Sequence, residues 1–487
     1  MRTLTFTQRL ATVARTMAAA TLAASLTFGA AQAASPSELL EKAIYAEETV
    51  GDLDEAMKLY EQVVAAGRDA YDAAAQAQFR IGACLEKKGR SAESKEAFQK
   101  LIDDYPQAKE LVAQAKSRLP GAPNLLPAPW KSGERLQLDM SLANGMQVGS
   151  MFYMVDDVEF QGRTAVKCST RGYVQINDAV TYSEVFCDPT TFRPLASYWN
   201  HSVIGSAEAR YGDEEATISI EGRSDPAKVD LDAFVFDNEE CMMLFRRLPL
   251  EVGFKMPVSV VSSLTGTKIP FELEVKSLEQ IETPVGKFEC FRVHLSLVNQ
   301  TFWITTDAHR YVAQFEAGGV KAILAKVWQA DPQKPVEVAG DDYDFVMPAG
   351  WLSFASESKP GDEKQRIFLL DPRGESRCRL AIQPKQSLEG DDATSTKIWT
   401  QTFVEKIGAK LSGFTQPEVS DESTNSAGCQ LTTAKATFSE NGRQKILLGA
   451  ALFGQKYAAT LSLVADQDEV ESLDEAFQAI ADSLKLQ

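Results

Sequence analysis

The spacing of apolar residues changes twice along this chain. From residue 36 to 119 the sequence is dominated by Ala and Glu, with no Pro between Pro36 and Pro106, which predicts helices. There, Gly51-Asp-Leu-Asp-Glu-Ala56 and Tyr60 recur as Gly89 and Phe98, followed by Pro106. Repetition at this interval predicts two stacked helix pairs. Ala56 and Gly82 are small enough for close helix approach, and Tyr60 and Phe98 occupy matching places as plugs between helices.

The period then shortens to two. Leu136, Leu138, Met140 and Leu142 alternate up to the turn Asn144-Gly145, and Phe291, Val293, Leu295 and Leu297 alternate behind Pro284-Val-Gly-Lys287. This is the pattern of antiparallel strands with one buried face. The last third mixes both periods. Gln430–Phe438 and Lys445–Leu452 read as strands joined at Asn441-Gly442. Trp399, Phe403, Ile407 and Leu411 recur every four residues, as do Leu473, Phe477 and Ala481, with Ile480 and Leu484 on the same face. Both read as amphipathic helices laid on a sheet.

The predicted architecture is therefore multidomain: an all-α helical repeat, then a mainly antiparallel β region forming a curved sheet or partial barrel, then an α/β/α sandwich. Runs of Pro mark the joints, because they sustain neither helix nor central strand. The expected divisions are a signal peptide at 1–33, helical repeats at 34–120, a Pro-rich linker at 121–130, the β domain at 131–330, a second linker at 331–341 and the α/β domain at 342–487.

Three features of the N-terminus change the picture. Arg2, Arg9 and Arg15 precede an apolar run from Met17 to Ala31, which closes on Ala31-Gln-Ala33. That is the layout of a cleaved secretory signal, too short and Ala-rich for a membrane span. A periplasmic or secreted location is expected. Removing those residues moves the formal charge from −18 to −21. So acidic a chain repels phosphate backbones, which makes nucleic acid a poor partner.

Seven cysteines in an exported chain raise the expectation of disulfides. Cys168 and Cys187 flank a hairpin, and they would face each other if Asn177-Asp178 were its two-residue loop. Cys378 with Cys429, and Cys241 with Cys290 by elimination, are further candidates, leaving Cys84 on a repeat helix.

Chemistry is harder to find. The chain holds three His, and Cys290 and His294 share a strand face. Four residues of strand span about 13 Å, against the contact of about 3 Å that a catalytic dyad requires. Cys-x-x-Cys, His-Glu-x-x-His, phosphate-binding Gly patterns and the Gly-x-Ser-x-Gly elbow are all missing from the sequence. Met140, Met146, Met151 and Met154 crowd one hairpin, but alternation splits them between two faces, which favours core or pocket lining over copper. Ser356-Glu-Ser-Lys359 reads as a polar loop, and Gly340-Asp-Asp-Tyr-Asp344 as a linker without the spaced ligands of a calcium loop. No catalytic, cofactor or metal residues are assigned, and a non-enzyme is expected.

On the residues Gly51, Ala56, Tyr60, Gly82, Gly89, Phe98 and Pro106, the first segment resembles the tetratricopeptide repeat. Its offset of 38 exceeds the family's usual length of about 34. Ser94 stands where Ala is usual, and Arg68 where Pro is. The middle segment resembles the domain of unknown function 3108. The resemblance rests on Gly133-Glu134 with Leu136 and Leu138, Cys187-Asp-Pro-Thr-Thr-Phe-Arg-Pro194, Leu244-Phe-Arg-Arg-Leu-Pro-Leu250 with Gly253, Thr283-Pro-Val-Gly286, and Phe302-Trp-Ile-Thr-Thr-Asp307. The last segment resembles the PsbP-like fold through Phe345, Pro348-Ala-Gly-Trp351 and the closing Phe477, Ile480 and Ser483-Leu484. These resemblances imply folds and binding roles, and no reaction.

Three functions follow as expectations. The first is a non-enzymatic envelope adaptor that docks an unidentified exported protein on its repeats. The second is a carrier of an apolar small molecule or lipid in the middle domain, lined by Leu138, Met140, Met151 and Tyr153. The third is a hydrolase whose paired carboxylates come from distant strands.

Overall fold

The computed structural model describes residues 35–118, 124–231, 235–296, 299–356, 363–374, 376–440 and 442–487. The expected signal peptide, Leu297, Asn441, most of the Ser356–Lys359 motif and part of the first linker lie outside the described residues. The chain divides into two compact units, Met1–Gly121 and Ala122–Gln487.

The first unit is helical. α1 spans Pro36–Tyr45 and continues through a π-turn at Ala46–Val50; α2 spans Leu53–Ala65, α3 Tyr71–Lys87, α4 Ser91–Asp104 and α5 Lys109–Arg118. Local chemistry sets the starts. Ser35 and Glu38 form a capping box on α1, and the Asp52 carboxylate accepts from Glu55 N at the head of α2. Gly51 and Gly89 take the positive φ needed to end one helix before the next. Ala56, Tyr60 and Phe98 are fully buried. A Cβ on Gly82 would stand 2.6 Å from the Phe98 ring, so only Gly lets α3 and α4 close at this crossing. Pro106 is exposed in the turn between α4 and α5. The buried Ser94 donates its hydroxyl to Gly82 O at 2.9 Å, which explains how a polar residue replaces the usual Ala. A 3-10 turn at Gly67–Ala70 and the 17 residues of α3 accommodate the longer repeat.

In the second unit, fifteen strands run in one sheet. In chain order β1 is Glu134–Leu142, β2 Gln147–Phe160, β3 Arg163–Val174, β4 Ala179–Cys187, β5 Pro194–His201, β6 Gly205–Tyr211, β7 Glu215–Ile220, β8 Ala227–Asp230 and β9 Val235–Asp237. A short helix, α6 (Cys241–Arg246), follows. Then come β10 Lys255–Ser262, β11 Thr267–Thr283, β12 Gly286–Leu295, β13 Gln300–Thr305, β14 Val312–Ala317 and β15 Val320–Gln329. The spatial order is β8 to β1 in descending sequence, then β15 down to β9, so β1 pairs with β15 at the centre. All neighbours are antiparallel except β9 with β10. The ends, β8 and β9, are not paired to each other among the described residues, so the partial-barrel expectation reduces to a curved, open sheet. Side chains link β8 and the turn before it to β11 and the turn before that: Lys268 reaches Asp230 O, and Arg223 reaches Thr265 O.

The concave face is filled by α6. Met242, Met243, Leu244 and Phe245 pack with Leu136, Leu138, Tyr153, Val155, Cys168 and Phe302 in one buried cluster. At about 25 cal/mol per Å² of apolar burial, such a cluster is the main stabiliser of the sheet. The Asn144-Gly145 hairpin forms where the sequence placed it, with Gly145 at φ +81°.

The Cys168 hairpin differs from expectation. β3 and β4 pair Cys168 with Val185 and Val166 with Cys187, around a four-residue turn at 175–178. The register is thus two residues off the assumed one, and the two cysteines are diagonal neighbours. All seven cysteines are buried free thiols. Cys241 and Cys290 fall in different apolar clusters. Cys378 and Cys429 are kept apart by two intervening strands, about 14 Å at usual spacing, far beyond disulfide reach.

The last segment builds its own sheets. β16 is Val336–Ala339, within the expected linker, β17 Tyr343–Met347, β18 Leu352–Ala355, β19 Gln365–Leu370 and β20 Ser376–Pro384. Helix α7 (Thr396–Gly408) precedes β21 Glu418–Val419, β22 Ser423–Thr424, β23 Gln430–Glu440, β24 Arg443–Phe453 and β25 Tyr457–Asp466. Helix α8 (Val470–Ser483) and β26 (Lys485–Leu486) close the chain. The larger sheet runs β18-β19-β20-β25-β24-β23-β21, and β16-β17-β26 form a small one.

Alternation assigns its faces. Ile446, Leu448, Ala450 and Leu452 of β24 pack with Leu473, Phe477 and Ile480 of α8. Leu447, on the opposite face, packs with Val404 of α7, and a Cβ on Gly449 would strike Val404 at 2.4 Å. Beyond α7, that second face is covered by the middle sheet: Phe354, Phe368 and Leu370 meet Phe152, Met154 and Tyr173. The α/β/α expectation therefore holds only in its coarser form of mixed strands and helices, because one helix shares its face with another sheet.

Candidate functional site

The first helix of each pair, α1, α3 and α5, contributes to a groove of about 380 Å³ in the helical unit. Its walls are Gln76, Phe79, Arg80, Ala83, Glu86 and Lys87 of α3 with Leu111 and Gln114 of α5, and Glu47 from the π-turn after α1. Neither α2 nor α4 lines it.

Glu47 is the hub of this groove. It is buried, and its Oε2 accepts from Tyr60 Oη at 2.6 Å and Arg80 Nη1 at 3.0 Å, while Oε1 accepts from Lys87 Nζ at 2.8 Å. Arg80 also reaches Glu48 at 2.8 Å. Burial alone would raise the Glu47 carboxyl; hydrogen bonds from Lys87, Tyr60 and Arg80 outweigh it and hold the group below its usual range. Burial and the Glu47 charge push the Tyr60 phenol well up. The carboxylate is charged and fully engaged, and it fixes two cations at the groove wall. Tyr60, read from sequence only as a packing plug, also serves as a donor. The network was missed because its members come from three helices. One signal was available: Arg80 and Lys87 are seven residues apart, hence on one face of α3.

A second buried polar cluster lies under the middle sheet. Asp237 and Glu240 cap the turn that leads into α6. Glu240 Oε1 accepts from Asp237 N at 2.9 Å, and Cys187 donates its thiol to Glu240 Oε2 at 2.6 Å. Asp237 accepts from Tyr211 Oη and, at 2.9 Å, from Glu239 N. No cation pairs with either acid among the described residues. Burial pushes both carboxyls up, Glu240 more so because of the Asp237 charge. Burial likewise raises the Cys187 thiol, so it is a poor nucleophile. The motif Asp237-Asn-Glu-Glu240 ahead of Cys-Met-Met-Leu-Phe245 is a legible capping box that the sequence reading passed over.

Of the residues suggested for an apolar ligand, Leu138, Met140 and Tyr153 are buried in the α6 cluster and Met151 packs against it. Cys290 is buried beside Trp303, and His294 Nδ1 lies 3.3 Å from Thr301 Oγ1. No group of three His, Cys, Asp or Glu suited to a metal occurs among the described residues. No described helix is long and apolar enough to cross a membrane.

Two family models match parts of this chain. The tetratricopeptide repeat family model matches residues 76–108, which take in most of α3, all of α4 and Pro106. The family described as protein of unknown function DUF3108 matches residues 137–323, from β1 into β15. A search of curated proteins returned no match. Among solved structures, the chain is similar to the beta-barrel-like protein of domain of unknown function DUF1849 from Brucella abortus. That similarity has 10% identity and a TM-score of 0.28, covering 41% of this chain and 98% of that one. Cyanobacterial PsbP (CyanoP) from Synechocystis sp. PCC 6803 matches at 14% identity and TM-score 0.24, covering 32% of this chain and 95% of that one. LpqN of Mycobacterium tuberculosis, involved in cell envelope biogenesis, matches at 17% identity and TM-score 0.22, covering 32% and 90%. The helical unit thus carries a tetratricopeptide repeat, and the middle sheet resembles the DUF3108 family.

Proposed function

We propose that this is an exported, non-enzymatic adaptor of the cell envelope, which holds a segment of another exported protein in the groove of its helical unit. The observation that carries this reading is the groove itself. It is lined only by the first helices of the pairs, offers Phe79 and Leu111 as apolar contacts, and has its buried carboxylate already neutralised by Arg80 and Lys87. Preset polar partners beside apolar ones favour recognition of a peptide segment. The tetratricopeptide match supports protein binding, and the Ala31-Gln-Ala33 pattern supports export.

Site-specific photo-crosslinking in the full, exported protein tests the reading. A crosslinker at Gln76, in the groove, should capture a protein of defined mass, and one at the exposed Glu61 of α2 should not. Arg80→Glu should abolish the Gln76 adduct. Equal adducts at both positions, or none at Gln76, would overturn the assignment.

A further inference from the structure

The outer face of the middle sheet holds a second cavity, of about 400 Å³, closed on its other side by the last segment. Pairing fixes its floor. Lys326, Gln137, Phe152 and Arg171 are cross-strand neighbours on β15, β1, β2 and β3, and Trp328, Arg135, Met154 and Ser169 form the next row. Alternation turns both rows away from the α6 core. Trp351, Leu352 and the segment from Ala330 to Ala339 form the opposing wall.

The charges in this cavity are unevenly matched: Arg135, Lys167, Arg171, Lys326 and Lys334 stand with Asp156, Asp331 and Glu337. Arg135 is held by Asp156 at 2.8 and 3.0 Å, and Lys334 by Asp331 at 3.1 Å. Arg171 has no such partner. Its side chain is more than nine-tenths buried, Nη1 donates to Gly350 O, and Nε is buried without a hydrogen bond. No carboxylate lies within ion-pair distance of Arg171 among the described residues. Burial lowers its pKa to about 10, still leaving it cationic at neutral pH. Lys326 is likewise without an ion pair among the described residues; its ammonium sits 5.2 Å from the centre of the Trp328 ring. A buried guanidinium with an orphaned donor is costly unless something supplies the missing acceptor. The centre of the Tyr182 ring lies 6.0 Å from the guanidinium, and Trp328 and Trp351 line the same cavity.

We propose that this cavity binds a small amphipathic anion, whose carboxylate or phosphate group is received by Arg171 and whose apolar body rests on Trp328 and Trp351. Arginine suits the role because its planar fork offers two parallel donors to one oxyanion. Lys326 adds positive field from the other end of the row, three strand spacings or about 14 Å away at the backbone. The site lies in the second unit, so it stands or falls independently of the groove in the helical unit.

Calorimetric titration of the full protein decides the matter, with octanoate, octyl phosphate, inorganic phosphate and octyltrimethylammonium as probes. Saturable binding of octanoate or octyl phosphate is expected, and the better of the two identifies the headgroup. Arg171→Gln should weaken that binding by about tenfold or more, and Arg171→Lys by less, because it keeps charge and loses the fork. The exposed Lys326→Gln, which tests the site even if the Arg171 variants do not fold, should weaken it about two- to fourfold. Four results would overturn the proposal: no saturable binding of either octyl anion; equal binding of the octyl cation; equal binding of inorganic phosphate; or affinities unchanged by Lys326→Gln and, where it folds, by Arg171→Gln.

Discussion

Glu47 in the helical unit and Glu240 in the middle sheet are both buried glutamates, but their neighbours differ in kind. Glu47 has two cations and a phenol on its oxygens, and Glu240 has a thiol and a backbone amide. The first is therefore held ionised and its carboxyl pulled down, and the second is pushed toward its neutral form. Burial raises a carboxyl in both places; whether a cation is built opposite it decides the outcome. The helical unit spends its buried acid on fixing charges at a groove. The sheet uses its own to start a helix inside an apolar core.

The most disruptive way to break this contrast is Glu47→Ala. It leaves Arg80, Lys87 and the Tyr60 hydroxyl without their shared acceptor. The expected cost is about 3 kcal/mol, toward the lower end for a broken buried pair because Lys87 is half exposed. Hydrogen exchange should show lost protection across 36–118 and none across 134–329.

Glu240→Gln should act in the opposite direction. A carboxyl raised in the folded state favours folding below its unfolded pKa of about 4.3, and that contribution is lost as pH rises through the folded value. The neutral amide removes the penalty, so stability should rise at pH 7.5, with little change at pH 4. Denaturant melts at the two pH values check this; a variant less stable at pH 7.5 would contradict it.

The same linkage predicts a divergence without mutation. A lowered carboxyl such as Glu47 stabilises above about pH 4.3 and loses that contribution as pH falls through its folded pKa. Lowering the pH from 7 to 4 should thus firm the start of α6, and the helices around Glu47 should loosen only on further acidification through the folded Glu47 pKa. Exchange rates corrected for intrinsic pH dependence, compared between 42–87 and 237–246, provide the measurement.

Smaller substitutions sharpen the picture. Tyr60→Phe keeps the packing plug and removes one donor to Glu47, for a cost of about 1 kcal/mol. Ser94→Ala restores the residue usual in the repeat and should stay within about 0.5 kcal/mol, because Gly82 O keeps its place in the helix. Thermal melts of the two variants should rank in that order.

Near neighbours along the chain set the local structure that could be read in advance. Period and punctuation placed the paired helices of the first segment, the Asn144-Gly145 hairpin and the amphipathic α8. Gly82 against Phe98 was legible because both follow a repeat whose geometry is local. What required the tertiary structure was everything joined across many residues. The two-residue register error at Cys168 and Cys187 arose because a turn of four and a turn of two look alike in a polar stretch, and a small slip re-pairs every residue. The fifteen-strand order, with β1 beside β15, decided which cysteines meet and which face Arg171 shares with Trp328. The partners of Glu47 come from two other helices, so no window of sequence contains them. Whether a buried charge is paired is a property of space rather than spacing, and only the folded chain shows which of its acids and bases met a partner.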